Sequence, residues 1–167
     1  MKIGVPKEIK NHEYRVGMTP SAVRELTRSG HDVMVQASAG AAIGFTDDDY
    51  RRAGAILEDN PEAVFRNNQL IVKVKEPEGG ERQLLTPDQT LFTYLHLAPD
   101  PEQTRDLVAS GALCIAYETV TDDHGHLPLL APMSEVAGRM SVQAGAHCLE
   151  RGEGCCLVAC LASVRPG

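Results

Sequence analysis

The sequence predicts an α/β fold, a mostly parallel sheet with flanking helices, and three observations carry that expectation. Short β-branched runs alternate with helical patterns along most of the chain. Several of those runs are almost unbroken in apolar residues, as strands become when helices cover both faces of a sheet. Helix starts and stops are marked by capping residues, prolines and glycines at the expected offsets.

The order of elements follows from those signals. "KIGVP" reads as a first strand, and "TPSAVRELTRSG" as a helix with Thr19 as N-cap, Pro20 at its first position and Gly30 at its end. "HDVMVQ" is a strand, "TDDDYRRAG" a short helix and "AILE" a strand. "QLIVKVKEP" and "TLFTYLHL" are two further strands. "DPEQTRDLVASG" is a helix capped by Asp100, with Pro101 and Glu102 in the first turn and Gly111 as its stop, and "CIAYETV" is the strand that follows. The proline-bearing "HGHLPLLAP" resembles a domain edge. After it, "SEVAGRMSVQAGAHCLERG" predicts a helix of about five turns, with Ser134 as its cap and Val136, Met140, Val142 and Ala146 on one apolar side. Such a helix suits a connector to a second lobe. The expected organisation is a lobe over 1–132, a connector helix over 133–154 and a distinct tail over 155–167.

Composition narrows the function. A chain of 167 residues with 23 acidic against 16 basic residues, net charge -7, has no Lys/Arg stripe to neutralise phosphates, which argues against a nucleic-acid partner. There is no signal-like apolar run at the N-terminus and no stretch of about 18 apolar residues to span a membrane, so a cytoplasmic protein is expected. In such a reducing compartment Cys114 and Cys148 are expected to be small buried hydrophobes.

Ligands of α/β proteins bind at the carboxyl ends of strands, and four polar residues fall there. Lys75 closes "IVKVK", His96 closes "LFTYLH", Glu118 closes "CIAYE", and Arg15 lies in the long loop after the first strand. Alone, Lys75 could be a solvated strand end and His96 a hydrogen-bonded structural histidine. Together they offer a cation for a carboxylate and a group that titrates near neutrality, which suits a small carboxylate-bearing substrate. His124 and His126, one residue apart in "DDHGHLP", read as a surface turn rather than a metal site. No G-x-G-x-x-G follows a strand: "SAGAAIG" and "RGEG" lack the spacing that lets a backbone approach a pyrophosphate.

The segments "MKIGVPKEIKNHEYRVGMTP", "GAAIGFTDDDYRRAGA", "IVKVKEP", "TYLHLAPD" and "APMSEVAGRMSVQAGAHCLE" together resemble the N-terminal part of the alanine dehydrogenase and pyridine nucleotide transhydrogenase family, over residues 1 to about 154. The resemblance implies a Rossmann-like or flavodoxin-like substrate lobe that works with a separate NAD-binding lobe in homo-oligomeric enzymes interconverting L-alanine with pyruvate and ammonia. It implies that Arg15 and Lys75 hold the substrate carboxylate and carbonyl, that His96 is the general acid/base, that Met133 lines the pocket and that Ser134 could touch the cofactor. The Lys75 and His96 pair favours the dehydrogenase branch over the transhydrogenase subunits. A stand-alone small-acid binding or regulatory module is the alternative.

The tail "CCLVACLASVRPG" departs from the family, which continues with a glycine-rich segment ending in Val-Pro-Gly-Val. Cys155, Cys156 and Cys160 lack both the paired spacing of a zinc site and the C-x-x-C of a redox pair. One permitted codon choice for the tail, regrouped by a single base, translates as Val-Leu-Leu-Gly-Gly-Val-Pro-Gly-Val-Arg-Pro-Ala-Gly. The expectation is therefore that 155–167 are read in a shifted frame, that the three cysteines are accidental, and that the chain is a truncated substrate lobe, inactive alone and without tightly held NAD.

Overall fold

The computed structural model describes residues 1–149. The predicted tail over 155–167, with its three cysteines, lies outside the described residues. The chain divides into two compact units, Met1–Thr119 and a second that begins at Val120.

The first unit is the predicted α/β lobe. Its strands are β1 (Lys2–Val5), β2 (Asp32–Gln36), β3 (Ile56–Glu58), β4 (Leu70–Val72), β5 (Thr90–Thr93) and β6 (Leu113–Ala116). All pairings are parallel, in the order β3-β2-β1-β4-β5-β6. The helices between them are α1 (Pro20–Arg28), α2 (Asp47–Arg52), α3 (Pro61–Arg66), α4 (Gly79–Arg82) and α5 (Pro101–Ser110).

The caps act as the sequence implies. Thr19 accepts the N–H of Ala22 at 3.3 Å and Asp100 that of Gln103 at 2.9 Å, and Gly111 closes α5 with a left-handed φ of 69°. Two elements were not anticipated. α3 rests on Asn60, which accepts the N–H of Glu62 at 3.0 Å ahead of Pro61, and α4 is a single turn.

Side-chain alternation splits the core between the two sheet faces. Ile3, Val5, Val33, Val35 and Val72 pack with Val23 of α1 and Tyr50 of α2. Ile71 and Leu91 pack with Phe65 of α3 and Leu107 of α5. Each such side chain, fully buried, contributes about 1.5–3 kcal/mol. Gly4 is required for that layering: a Cβ there would stand 2.7 Å from the carbonyl oxygen of Val64, so only glycine lets α3 close on β1.

The second unit holds a turn and α6 (Ala131–Cys148). Asp122 closes the turn by accepting the N–H of His124 at 2.9 Å and of His126 at 2.8 Å, so the two histidines occupy the expected surface turn. The predicted cap of α6 is corrected. The helix starts at Ala131, three residues before Ser134, because Pro132 fits its first turn and the Ser134 N–H already donates to Leu130 O at 3.2 Å. The expected burial of the two lone cysteines is also corrected: Cys114, on the edge strand β6, is half-buried and Cys148 is exposed.

Candidate functional site

The strand order reverses at β1: β2 and β3 lie on one side of it, β4 to β6 on the other. Loops leaving the carboxyl ends of β1 and β4 must therefore diverge, and the crevice between them is where open α/β sheets bind ligands. The loop after β1 carries Glu8, Glu13 and Arg15, and the chain leaving β4 carries Lys73 and Lys75. A cleft of about 370 Å³ opens on the other side of β1, between its loop and the turn after β2, lined by Lys7, Glu8, Glu13, Arg15 and Ser38 among others; Lys75, His96 and Glu118 are not in its walls. A larger hollow of about 580 Å³, with Lys2, Arg66 and Gln69 in its walls, lies at the opposite, amino-terminal edge, away from all the predicted site residues.

β4 ends at Val72, short of the predicted "QLIVKVKEP" strand, and the next residue is Lys73, whose N–H still donates to Phe92 O at 3.1 Å. The Lys73 side chain is buried, with Nζ 2.8 Å from Glu81 Oε1 and 3.3 Å from Glu8 Oε2. Two carboxylates around one ammonium leave an excess of negative charge, which backbone donors offset. Val74 N donates to Glu8 Oε1 at 2.6 Å and Lys75 N to the same atom at 3.4 Å, while Glu78 N donates to Glu81 Oε2 at 2.9 Å. Burial still dominates at Glu8 and pushes its carboxyl above the ordinary value, against the pull of Lys73 and the Val74 N–H. This buried triad anchors the backbone that presents Lys75, itself half-buried.

Arg15 reaches the same region. Its Nε donates to Glu13 Oε1 at 2.8 Å and Nη2 to Glu13 Oε2 at 2.5 Å, a two-pronged pair that fixes the plane of the guanidinium. Those hydrogen bonds hold the Glu13 carboxyl below the ordinary range, with a smaller contribution from the charge of Lys75. Arg15 and Lys75 therefore bear on one carboxylate. The charge of Arg15 also reaches Tyr94, on which Glu118 acts in the opposite sense. Tyr94 and Phe92 meet Tyr117 edge-on, at ring-centroid distances of 4.9 and 4.3 Å, and burial raises the Tyr117 phenol strongly.

His96 stands three residues beyond β5, exposed, with a left-handed φ of 51°. Glu118, in the 3-10 turn Tyr117–Thr119 after β6, accepts the N–H of His96 at 2.8 Å and of Leu95 at 3.0 Å. Arg15 is thus bonded to Glu13, and His96 to Glu118 through its backbone, while the charge of Lys75 is felt at Glu13. Met133 and Ser134 belong to the second unit, at the start of α6, where the Ser134 hydroxyl donates to Leu130 O at 3.4 Å.

Sequence reading missed Glu8, Glu13, Lys73 and Tyr94. For Lys73 a signal existed, since a lysine flanked by Val72 and Val74 in an otherwise apolar run must find a buried partner. Nothing local marks Glu8 as that partner.

The glycines that approach other backbone do so for the fold. A Cβ at Gly17 would stand 2.5 Å from Val72 O, and one at Gly40 would stand 2.8 Å from the Phe45 side chain and 2.9 Å from Tyr50 Oη. These spaces are taken by the chain itself, so the described glycines do not fit a pyrophosphate.

The family model described as "Alanine dehydrogenase/PNT, N-terminal domain" matches residues 4–137. An alanine dehydrogenase of Halomonas elongata is 60% identical over 154 residues, and one of Mycolicibacterium smegmatis 52% identical over 154 residues. Each alignment covers 92% of this chain and 42% of the relative. A solved L-alanine dehydrogenase superposes with a TM-score of 0.83 at 51% identity, again over 92% of this chain and 42% of the other. A transhydrogenase from Sinorhizobium meliloti shares the fold, with a TM-score of 0.66 at 24% identity over 71% of this chain. The chain spans under half the length of these relatives, and by these matches it belongs to the alanine dehydrogenase/PNT N-terminal domain family.

Proposed function

We propose that this chain supplies the substrate-binding half of a cytoplasmic L-alanine dehydrogenase, which converts L-alanine, NAD and water to pyruvate, ammonia and NADH. The observation that supports the reading is that two cations, Arg15 and Lys75, bear on one carboxylate beside the strand-order reversal, with His96 anchored by its backbone beyond β5.

Arg15 takes the substrate carboxylate, its guanidinium plane already set by Glu13. Lys75, held by its own N–H to Glu8, places a second positive charge where the carbonyl oxygen of pyruvate gathers electron density. His96 takes the proton released as the amine-bearing carbon becomes a carbonyl, and returns it in the reverse direction. NAD, when bound, accepts the hydride, and residues beyond those described must hold it, so the described part alone is inactive in turnover.

Pyruvate titration of the 167-residue chain, followed by calorimetry or by amide shifts, tests the reading. Binding is expected, and Lys75→Ala or Arg15→Ala should each weaken it by about tenfold or more, the loss of a charge-assisted bond. Equal pyruvate affinity in both variants and the parent sinks the assignment.

A further inference from the structure

The peptide leading into His96 is held by side chains rather than by the sheet. The ladder between β5 and β6 ends at Thr93 and Ala116, so the N–H groups of Leu95 and His96 have no strand partner. Glu118, two residues past Ala116, takes both, with Oε1 at 3.0 Å from Leu95 N and 2.8 Å from His96 N, and Oε2 at 3.3 Å from Leu95 N. From the other side Gln103, itself buried, donates Nε2 to Leu95 O at 2.5 Å, and the Leu95 side chain is buried.

This clamp surrounds a strained residue. His96 has a φ of 51°, in the left-handed region that a residue with a Cβ enters only when its surroundings hold it there. His12 and Ser38 are the other described non-glycine residues with positive φ; Ser38, two residues past β2, likewise gives its N–H to a carboxylate, Asp47 Oδ1, at 2.7 Å. The neighbouring strand repeats the arrangement: Glu8 Oε1 accepts from Val74 N and Lys75 N, again a residue of the proposed site and its predecessor.

We infer that Glu118 is a positioning residue for His96: its carboxylate, by gathering the N–H groups of Leu95 and His96, sets the left-handed backbone from which the imidazole faces the substrate. The inference rests on the proposed role of His96 for its purpose, but the backbone effect can be measured apart from it. A carboxylate suits the task because one acceptor must serve two converging donors, and an ionised oxygen does so more strongly than a neutral one. Glutamine keeps one oxygen of the same reach. Alanine keeps none.

The test uses isotope-labelled 167-residue chain, as wild type, Glu118→Ala and Glu118→Gln, with pyruvate as the probe. The left-handed backbone gives His96 a strong intraresidue contact between its amide and α protons. Glu118→Ala should lose that contact, and the pyruvate-induced shift of the His96 imidazole should fall about tenfold, the population change expected when a strained conformer loses its support. Glu118→Gln should keep most of both, and the amide response of Lys75 should persist in each. A His96 amide–α contact unchanged in Glu118→Ala overturns the inference. So does a loss equal in the Ala and Gln variants accompanied by equal drops in melting temperature, which marks a merely structural carboxylate. If pyruvate moves no imidazole signal even in wild type, the substrate reading of His96 fails, while the amide–α contact still decides the role of Glu118. Should Glu118→Ala not fold, Glu118→Asp, whose shorter arm cannot span both donors, should lose the contact, and its retention there overturns the inference.

Discussion

The ends of β4 and β5 perform the same task by different means. Each delivers one residue of the proposed site, and each ties that residue's N–H and its predecessor's to a single glutamate. At β4 the glutamate is buried and locked to Lys73, which also holds Glu81; at β5 it is half-buried and serves a histidine that is exposed. Breaking the first therefore exposes uncompensated charge in a low-dielectric interior, whereas water can replace much of what the second supplies. Lys75 is positioned as a by-product of core integrity. His96 is positioned by a bond that can be removed without removing the fold.

The largest effect should come from Lys73→Ala. It leaves Glu8 and Glu81 buried together without their cation, and loss of about 3–5 kcal/mol is expected from urea unfolding. A loss under about 1 kcal/mol would mean that the triad relaxes into water and that the contrast between the two strand ends is false.

Gln103→Ala should come next. The residue is 1% exposed and its amide serves the buried Leu95 carbonyl, so removing it leaves an acceptor unpaired and costs about 1–3 kcal/mol. Its thermal unfolding sharpens the comparison, because Gln103 fixes the β5 end from its buried side. If Gln103→Ala is as mild as a surface change, the His96 peptide has some further support.

How far these two ends were legible in the sequence differs for the same physical reason. Caps and stops obey local rules, so Thr19, Asp100 and Gly111 were readable, and alternation of apolar runs with caps gave the parallel sheet. Lys75, His96, Glu118 and Arg15 could be put forward because strand ends and the loops after them can be counted along a chain. Glu8 was not, since its partnership with Val74 spans 66 positions and nothing local announces it. The start of α6 was misplaced for the opposite reason: Ser134 is a good cap in isolation, but Pro132 had already opened the helix. α3 was missed although Asn60 before Pro61 is the same local signal as Thr19 before Pro20.

Glu8→Gln probes the buried end by pH. Burial raises the Glu8 carboxyl above 4.5, so between that value and its raised one the folded protein holds more protons there than the unfolded chain. The stability that this proton contributes is full below pH 4.5 and is lost as pH rises through the raised value. Glutamine cannot ionise and keeps an oxygen for Val74 N. The stability of Glu8→Gln relative to wild type should therefore improve as pH rises through that window, by about 1 kcal/mol or more per unit of pKa displacement. Chemical denaturation at several pH values reads the difference. A constant difference, or one of opposite sign, would show that Lys73 outweighs burial at Glu8.

The smallest stability effect is expected at Glu118→Ala, and the smallness is what makes it informative. Its carboxylate is half-buried, has no cation in hydrogen-bond contact, and serves two N–H groups beside an exposed residue. Water can reach those donors once the side chain is gone, and the strain at His96 is relieved at the same time. Loss of a hydrogen bond and release of strain act in opposite directions, so the net change should stay within about 1 kcal/mol, against several for Lys73→Ala. Urea titrations of the two variants under one buffer make the comparison direct. A Glu118→Ala loss as large as that of Lys73→Ala would place Glu118 among the supports of the core, and the two strand ends would then be alike in energetics as well as in geometry.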